Sequence, residues 1–223
     1  MISENAAHPV FEPILAQLSD QHRDEVLAAF AALEHSAHPV PEVQMLALRD
    51  ATLRRDLQRL LHRVGRTLVP VDGTQWTSGY RDDIAAELTD AGWNSLPVID
   101  RAVLVLVLIH SVAIPRSQGI LSGDSWISAQ PTPADEFLRY AQTAKGDVRV
   151  ALQRLRAAGL VQLAPTRGRG FVGGTAYLPG PQLHRLTPVA SRALQQELIL
   201  AAAPQSPLAA AIRARRAHPR GEQ

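Results

Sequence analysis

The 223 residues are 46% hydrophobic but only 4% aromatic, so one large or two small cores can form and must be built from Leu, Val, Ile and Ala. With no cysteine, disulfides, thiolate chemistry and Cys-based zinc sites are excluded. The formal charge of +2 conceals an asymmetry: residues 1–144 carry eleven Lys/Arg against eighteen Asp/Glu, a net of −7, and residues 145–192 carry eight against one, a net of +7.

In chain order, residues 10–36 read as helical, with Val26, Leu27, Phe30 and Leu33 on one face and Ser19 or Asp20 as cap. The Pro39 and Pro41 segment breaks that helix. Asp50 caps the next, whose stripe is Leu53, Leu57, Leu60, Leu61 and Val64, and Gly65 ends it. Two β-like runs around Asp72-Gly73 predict a hairpin, and a helix over Arg81–Ala91 is closed by Gly92.

A second cycle follows. Residues 99–112 are almost wholly apolar and predict a buried helix, a central strand being the alternative; residues 115–131 form a Gly/Ser/Pro-containing insert. Short and basic helices are expected over Ala134–Thr143 and Gly146–Ala158, then hairpin strands at Val161–Ala164 and Thr175–Leu178 and a helix over Pro188–Ala203. The order helix–helix–hairpin–helix thus occurs twice. It predicts a mainly α fold with small β-hairpin wings, a tandem winged helix, with an N-terminal unit at 1–95, a C-terminal unit at 96–203 and a basic flexible tail at 204–223. No signal peptide is visible in residues 1–20. The apolar run Ala102–Ile109, reaching Ile114 only across His110 and Ser111, is too short for a membrane span, so a cytoplasmic location without membrane contact is expected.

The chemistry concentrates in the second unit. Val148, Ala151, Leu152 and Leu155 share one helix face, and Arg149, Gln153 and Arg156 share another with Lys145 at its entry. Arg and Gln make two-point contacts with base edges, and Lys favours phosphate. Arg167 and Arg169 lie between glycines at the hairpin tip, where a wing would meet the flanking DNA backbone. These six residues form the expected duplex-DNA surface; a solvated helix face or an acidic protein partner are the alternatives. The first unit offers Arg54, Arg55, Gln58, Arg59 and His62 on one helix face, but with Asp56 among them and an acidic surround, which favours protein docking. Trp76 and Trp93 are candidate anchors of such an interface or fillers of its core.

Other motifs reduce to structural explanations. The stretch Gly168–Gly173 matches G-x-G-x-x-G, but it leads into TAYLPGP rather than opening a helix, so a dinucleotide site is not expected. His35 and His38 flank a Pro turn beside Glu34 alone and fit an exposed loop better than a metal site. The acids Asp82–Asp83 and Asp135–Glu136 fall in first turns of predicted helices, where they complement the dipole. No nucleophile elbow, phosphate loop or zinc-protease motif occurs, so the expectation is a non-enzyme with no cofactor and no metal.

Three stretches carry a family resemblance: LQRLLHRVG, followed by a short strand pair and Trp76–Tyr80; the apolar IDRAVLVLVLIHSV, followed by an insert; and VRVALQRLRAAGLVQL, leading through a wing to YLPGPQLHRLTP and a final helix. Over roughly residues 50–200 the chain resembles the KITE proteins, the MukE/MksE/ScpB group of tandem winged-helix subunits in bacterial condensin-type complexes. The resemblance implies a non-catalytic, nucleoid-associated homodimer. Its partners would be a kleisin and, through it, an ATPase of the structural-maintenance-of-chromosomes (SMC) type, and its task DNA organisation or plasmid restriction. A winged-helix transcription regulator or a replication initiator is the alternative.

Overall fold

In the computed structural model, which describes residues 9–93, 96–140, 144–165 and 175–218, the protein is mainly helical with two three-stranded antiparallel sheets. It divides into two compact units, Met1–Trp93 with His184–Thr187, and Asn94–Leu183 with Pro188–Gln223.

The first unit opens with α1 (Glu12–Leu15) and α2 (Asp20–His35), the latter capped by the Ser19 hydroxyl, which accepts from the His22 amide. A two-residue strand β1 (Val40–Pro41) precedes α3 (Leu46–Arg49) and α4 (Ala51–Arg63). Asp50 caps α4 by accepting from the Thr52 and Leu53 amides, and these bonds hold its carboxyl below the usual carboxylate range. Strands β2 (Arg66–Val71) and β3 (Gln75–Tyr80) form the expected hairpin, paired from Arg66↔Tyr80 to Val71↔Gln75, and α5 (Asp82–Asp90) follows. Asp72 and Gly73 both take positive φ, 48° and 76°, which is the conformation their residue types admit in a tight turn. The sheet order is β1-β3-β2. Its core runs from Leu15 through Val26, Ala29 and Leu33 to Leu48, Leu53, Leu57, Leu60 and Leu61. Val64, expected to extend that stripe, is exposed because it lies at the helix end, where Gly65 turns the chain.

Residues His184–Thr187 complete this unit. The last carbonyls of an α-helix have no partner within it. Here the Arg185 guanidinium donates to the carbonyls of Leu33, Glu34 and Ser36 at the end of α2, and also to the Ser78 carbonyl and hydroxyl. A β-carbon on Gly79 would stand 2.1 Å from the Arg185 carbonyl oxygen, so only glycine fits beside this segment.

The second unit is built on a 20-residue helical run, Val98–Ser117: α6 (Val98–Leu108), a π turn (Ile109–Ala113) and α7 (Ile114–Ser117). The buried helix expected over 99–112 is therefore present, and longer than the sequence suggested. It is long and apolar enough to cross a membrane, but Val103, Val107, Leu108, Val112 and Ala113 are buried inside the protein. The insert after it is tied down by Arg116, which donates to the Ser125 carbonyl and the Gln195 side chain, and by the Ser128 hydroxyl on the Ser111 carbonyl. Next come β4 (Thr132–Pro133), α8 (Ala134–Tyr140), α9 (Lys145–Ala157), β5 (Val161–Leu163) and β6 (Ala176–Pro179), in the sheet order β4-β6-β5. The order strand, helix, helix, two strands, with the first strand on the far side of the third, thus repeats that of the first unit. The helices α10 (Pro188–Ala202) and α11 (Pro207–Ala217) close the chain.

Residues 207–217 correct the expected flexible tail. Ser206 caps α11 by accepting from the Ala209 amide, Pro207 supplies the preset φ of a first helical position, and Ala209 and Ile212 are buried. The arginine-rich composition masked these start signals.

Candidate nucleic-acid interface

Helix α9 has two faces. Val148, Ala151, Leu152 and Leu155 are buried against Val103 and Val107 of α6, Phe137 of α8 and Val161 of β5, as their spacing predicted. Phe137 also meets Tyr177 of β6 edge-on, with ring centroids 5.9 Å apart. The helix is thereby held from three sides and its register is fixed.

Lys145, Arg149, Gln153 and Arg156 are all exposed, and among the described residues none of their side chains has a hydrogen-bond or ion-pair partner. At 100° per residue the four fall within about 80° of one another, in a stripe about 16 Å long along the helix axis. Arg156 stands in the last turn, where the helix dipole welcomes a cation; Lys145 opens the first turn, where the dipole disfavours one. Only Asp147 offsets it there.

Arg154, on the same helix, behaves differently. Its Nε donates to Asp100 Oδ2 at 2.8 Å and its Nη2 to Oδ1 at 2.5 Å, a two-point bond to a buried carboxylate in the first turn of α6. The hydrogen bonds from Arg154 hold the Asp100 carboxyl below its usual range, and the same bonds raise the guanidinium's own value. Arg154 therefore positions α9, and its charge is balanced by Asp100. Sequence reasoning missed this pair. An acid in a first turn is already explained by the dipole, and nothing local links Asp100 to a residue so far along the chain.

The basic stretch contains fewer available charges than its composition suggests. Of its eight Lys/Arg, Arg154 is bound to Asp100, Arg185 caps α2 in the first unit, and Arg192 pairs with Asp124 at 3.5 Å. Lys145, Arg149 and Arg156 remain, with Arg167 and Arg169, which lie outside the described residues, as does the G-x-G-x-x-G stretch. The strands that would carry that tip, β5 and β6, pair from Val161↔Pro179 to Leu163↔Tyr177.

In the first unit, α4 occupies the place of α9, and Arg54, Gln58 and Arg59 on its polar face are turned to its own fold, whereas Arg55 and Arg63 are exposed without a side-chain partner among the described residues. Gln58 donates to Thr67 Oγ1 and accepts from the Leu68 amide. Arg54 donates to the Leu48 carbonyl and lies over the Trp76 ring, 5.2 Å from its centroid, and Arg59 pairs with Asp56. Trp76 in turn donates to Glu42, so it is a packed residue of this unit, whereas Trp93 is 68% exposed. Among the described residues no group of three or more His, Asp or Glu is arranged to hold a metal ion. No protein-family model matches the chain, and no curated protein matches it either.

Proposed function

We propose that this protein is a tandem winged-helix, non-catalytic subunit of an SMC/condensin-like complex that organises DNA or restricts plasmids, binding a kleisin and contacting duplex DNA through α9 and the β5–β6 wing. The observation that carries the DNA part is the exposed, unpartnered stripe Lys145–Arg149–Gln153–Arg156 on a helix fixed by its opposite face. The recurrence of one strand–helix–helix–hairpin order, with sheets β1-β3-β2 and β4-β6-β5, supports the tandem winged-helix reading. The assignment to a kleisin and an SMC-type ATPase, the homodimer and the nucleoid association rest on the resemblance over residues 50–200.

Titration of random and genomic duplexes at several salt concentrations tests the DNA part. If Arg149, Arg156, Arg167 and Arg169 each neutralise a phosphate, replacing all four with Ala flattens the salt dependence by about 0.9 per contact, or three to four units in slope. Equal affinity of wild type and variant at low salt removes α9 and the wing from the interface. Affinity purification of the tagged full chain tests the rest: a kleisin and a coiled-coil ATPase should co-purify, and recovery of the chain without them sinks that assignment. One feature favours the alternative, a transcription regulator or replication initiator: Arg149 and Gln153 stand one turn apart and are side chains suited to reading bases. On that reading Arg149→Ala and Arg156→Ala each cost about 1–3 kcal/mol on one sequence and little on others.

A further inference from the structure

The first unit, acidic as a whole, holds an island of basic side chains. A cleft of about 620 Å³ is lined by Ile14 of α1, by Arg59, His62 and Arg63 at the end of α4, and by Arg81 at the start of α5. The fold assembles it: Gly65 ends α4, and its carbonyl accepts from the Arg81 amide at 3.1 Å, which seats Arg81 beside the last turn of α4.

The cations are held in place without being used up. Arg81 gives Nε and Nη2 to Asp83, and Arg59 gives Nη1 to Asp56, so each keeps several of its five N–H donors. Arg63 has no partner among the described residues. His62 is oriented by Gln58: the Gln58 oxygen accepts from the Leu68 amide, so its amide nitrogen must be the donor to His62 Nε2. That leaves Nδ1–H as the ring's donor. The carboxylates of Asp56 and Asp83 balance two guanidiniums and leave Arg63 in excess.

We propose that this cleft binds a small molecule bearing a diphosphate. Guanidinium forks fit phosphate oxygens two at a time, and a convergence of three of them suits a diphosphate better than a single carboxylate. The volume falls within the range of small-ligand sites. The site lies in the first unit and does not depend on the DNA reading of α9.

Calorimetric titration of the full chain with pyrophosphate and, separately, with ADP tests the proposal. Both probes should bind, since each presents a diphosphate. Arg63→Ala should weaken binding about tenfold with an unchanged melting temperature, because Arg63 supports no contact of the fold; Arg63→Gln gives the same comparison with the side-chain bulk retained. Absence of binding by either probe at about 5 mM, undiminished binding in both Arg63 variants, or a preference for a glutamate peptide over pyrophosphate at equal charge would each overturn the proposal.

Discussion

Helices α4 and α9 hold the same place in their respective units, each following a short strand and a helix and leading into a hairpin, yet they use their polar faces in opposite ways. On α4, Gln58 is bonded to β2, Arg54 to Leu48 and Trp76, and Arg59 to Asp56. On α9, among the described residues only Arg154 is so engaged, and Lys145, Arg149, Gln153 and Arg156 face solvent. The middle of α4 has its donors satisfied at home, whereas Arg63 in its last turn and the stripe of α9 keep side chains unpartnered for an external acceptor. Similar composition on equivalent helices therefore does not mean similar availability.

The largest test of this contrast acts through the cores. Leu57 and Leu155 are both fully buried, so Leu57→Ala and Leu155→Ala should each lower stability by about 2–5 kcal/mol in urea unfolding. Only Leu155→Ala should also weaken DNA binding below the melting temperature, since it loosens the helix that presents the basic stripe. Equal loss of DNA affinity in both variants would place α4 in the interface too.

A direct exchange of arginines comes next. Arg149→Ala with Arg156→Ala should reduce the salt slope of DNA binding by about two units and leave the melting temperature in place. Arg54→Ala with Arg59→Ala should do the reverse, lowering the melting temperature with the slope unchanged. Gln58 and Gln153 then compare single side chains. Gln58→Ala removes bonds to Thr67 and the Leu68 amide and should cost about 1–3 kcal/mol. Gln153→Ala touches nothing in the fold and should stay within about 0.5 kcal/mol by denaturant titration.

Elements marked by local chemistry were legible in the sequence. Ser19 and Asp50 start α2 and α4, Gly65 ends α4 with φ of 72°, and Asp72-Gly73 turns the first hairpin. The inward face of α9 followed from spacing alone. Strands β1 and β4 were not legible, because two residues become a strand only through a distant partner: Val40 through Trp76, Thr132 through Tyr177. The roles of Arg154, Arg185 and Arg192 were hidden for the same reason, since a guanidinium reads identically whether its acceptor is a carboxylate, a helix end or solvent. The cleft around Arg63 and Arg81 joins residues on either side of a hairpin, and no spacing rule points to it.

The smallest effect concerns what holds α9 in register. Hydrogen bonds from Arg154 keep the folded Asp100 carboxyl below its unfolded value of about 3.9. The stabilisation is therefore complete above the unfolded value and disappears as pH falls through the folded one. Arg154 is half exposed, so solvent screens the pair and the contribution is modest although the carboxylate is buried. Asp100→Asn should melt below wild type at pH 7, and the gap should narrow steadily below about pH 4 as wild-type Asp100 becomes protonated. A gap that stays constant down to pH 2 would mean that the charge on Asp100 contributes nothing, and that α9 is held by Val148, Leu152 and Leu155 alone. DNA binding by the variant at pH 7 and low salt should then equal wild type. If the pair does fix the register, the same measurement should show weaker binding with an unchanged salt slope, because the phosphate contacts remain the same in number while the helix that carries them is less firmly placed.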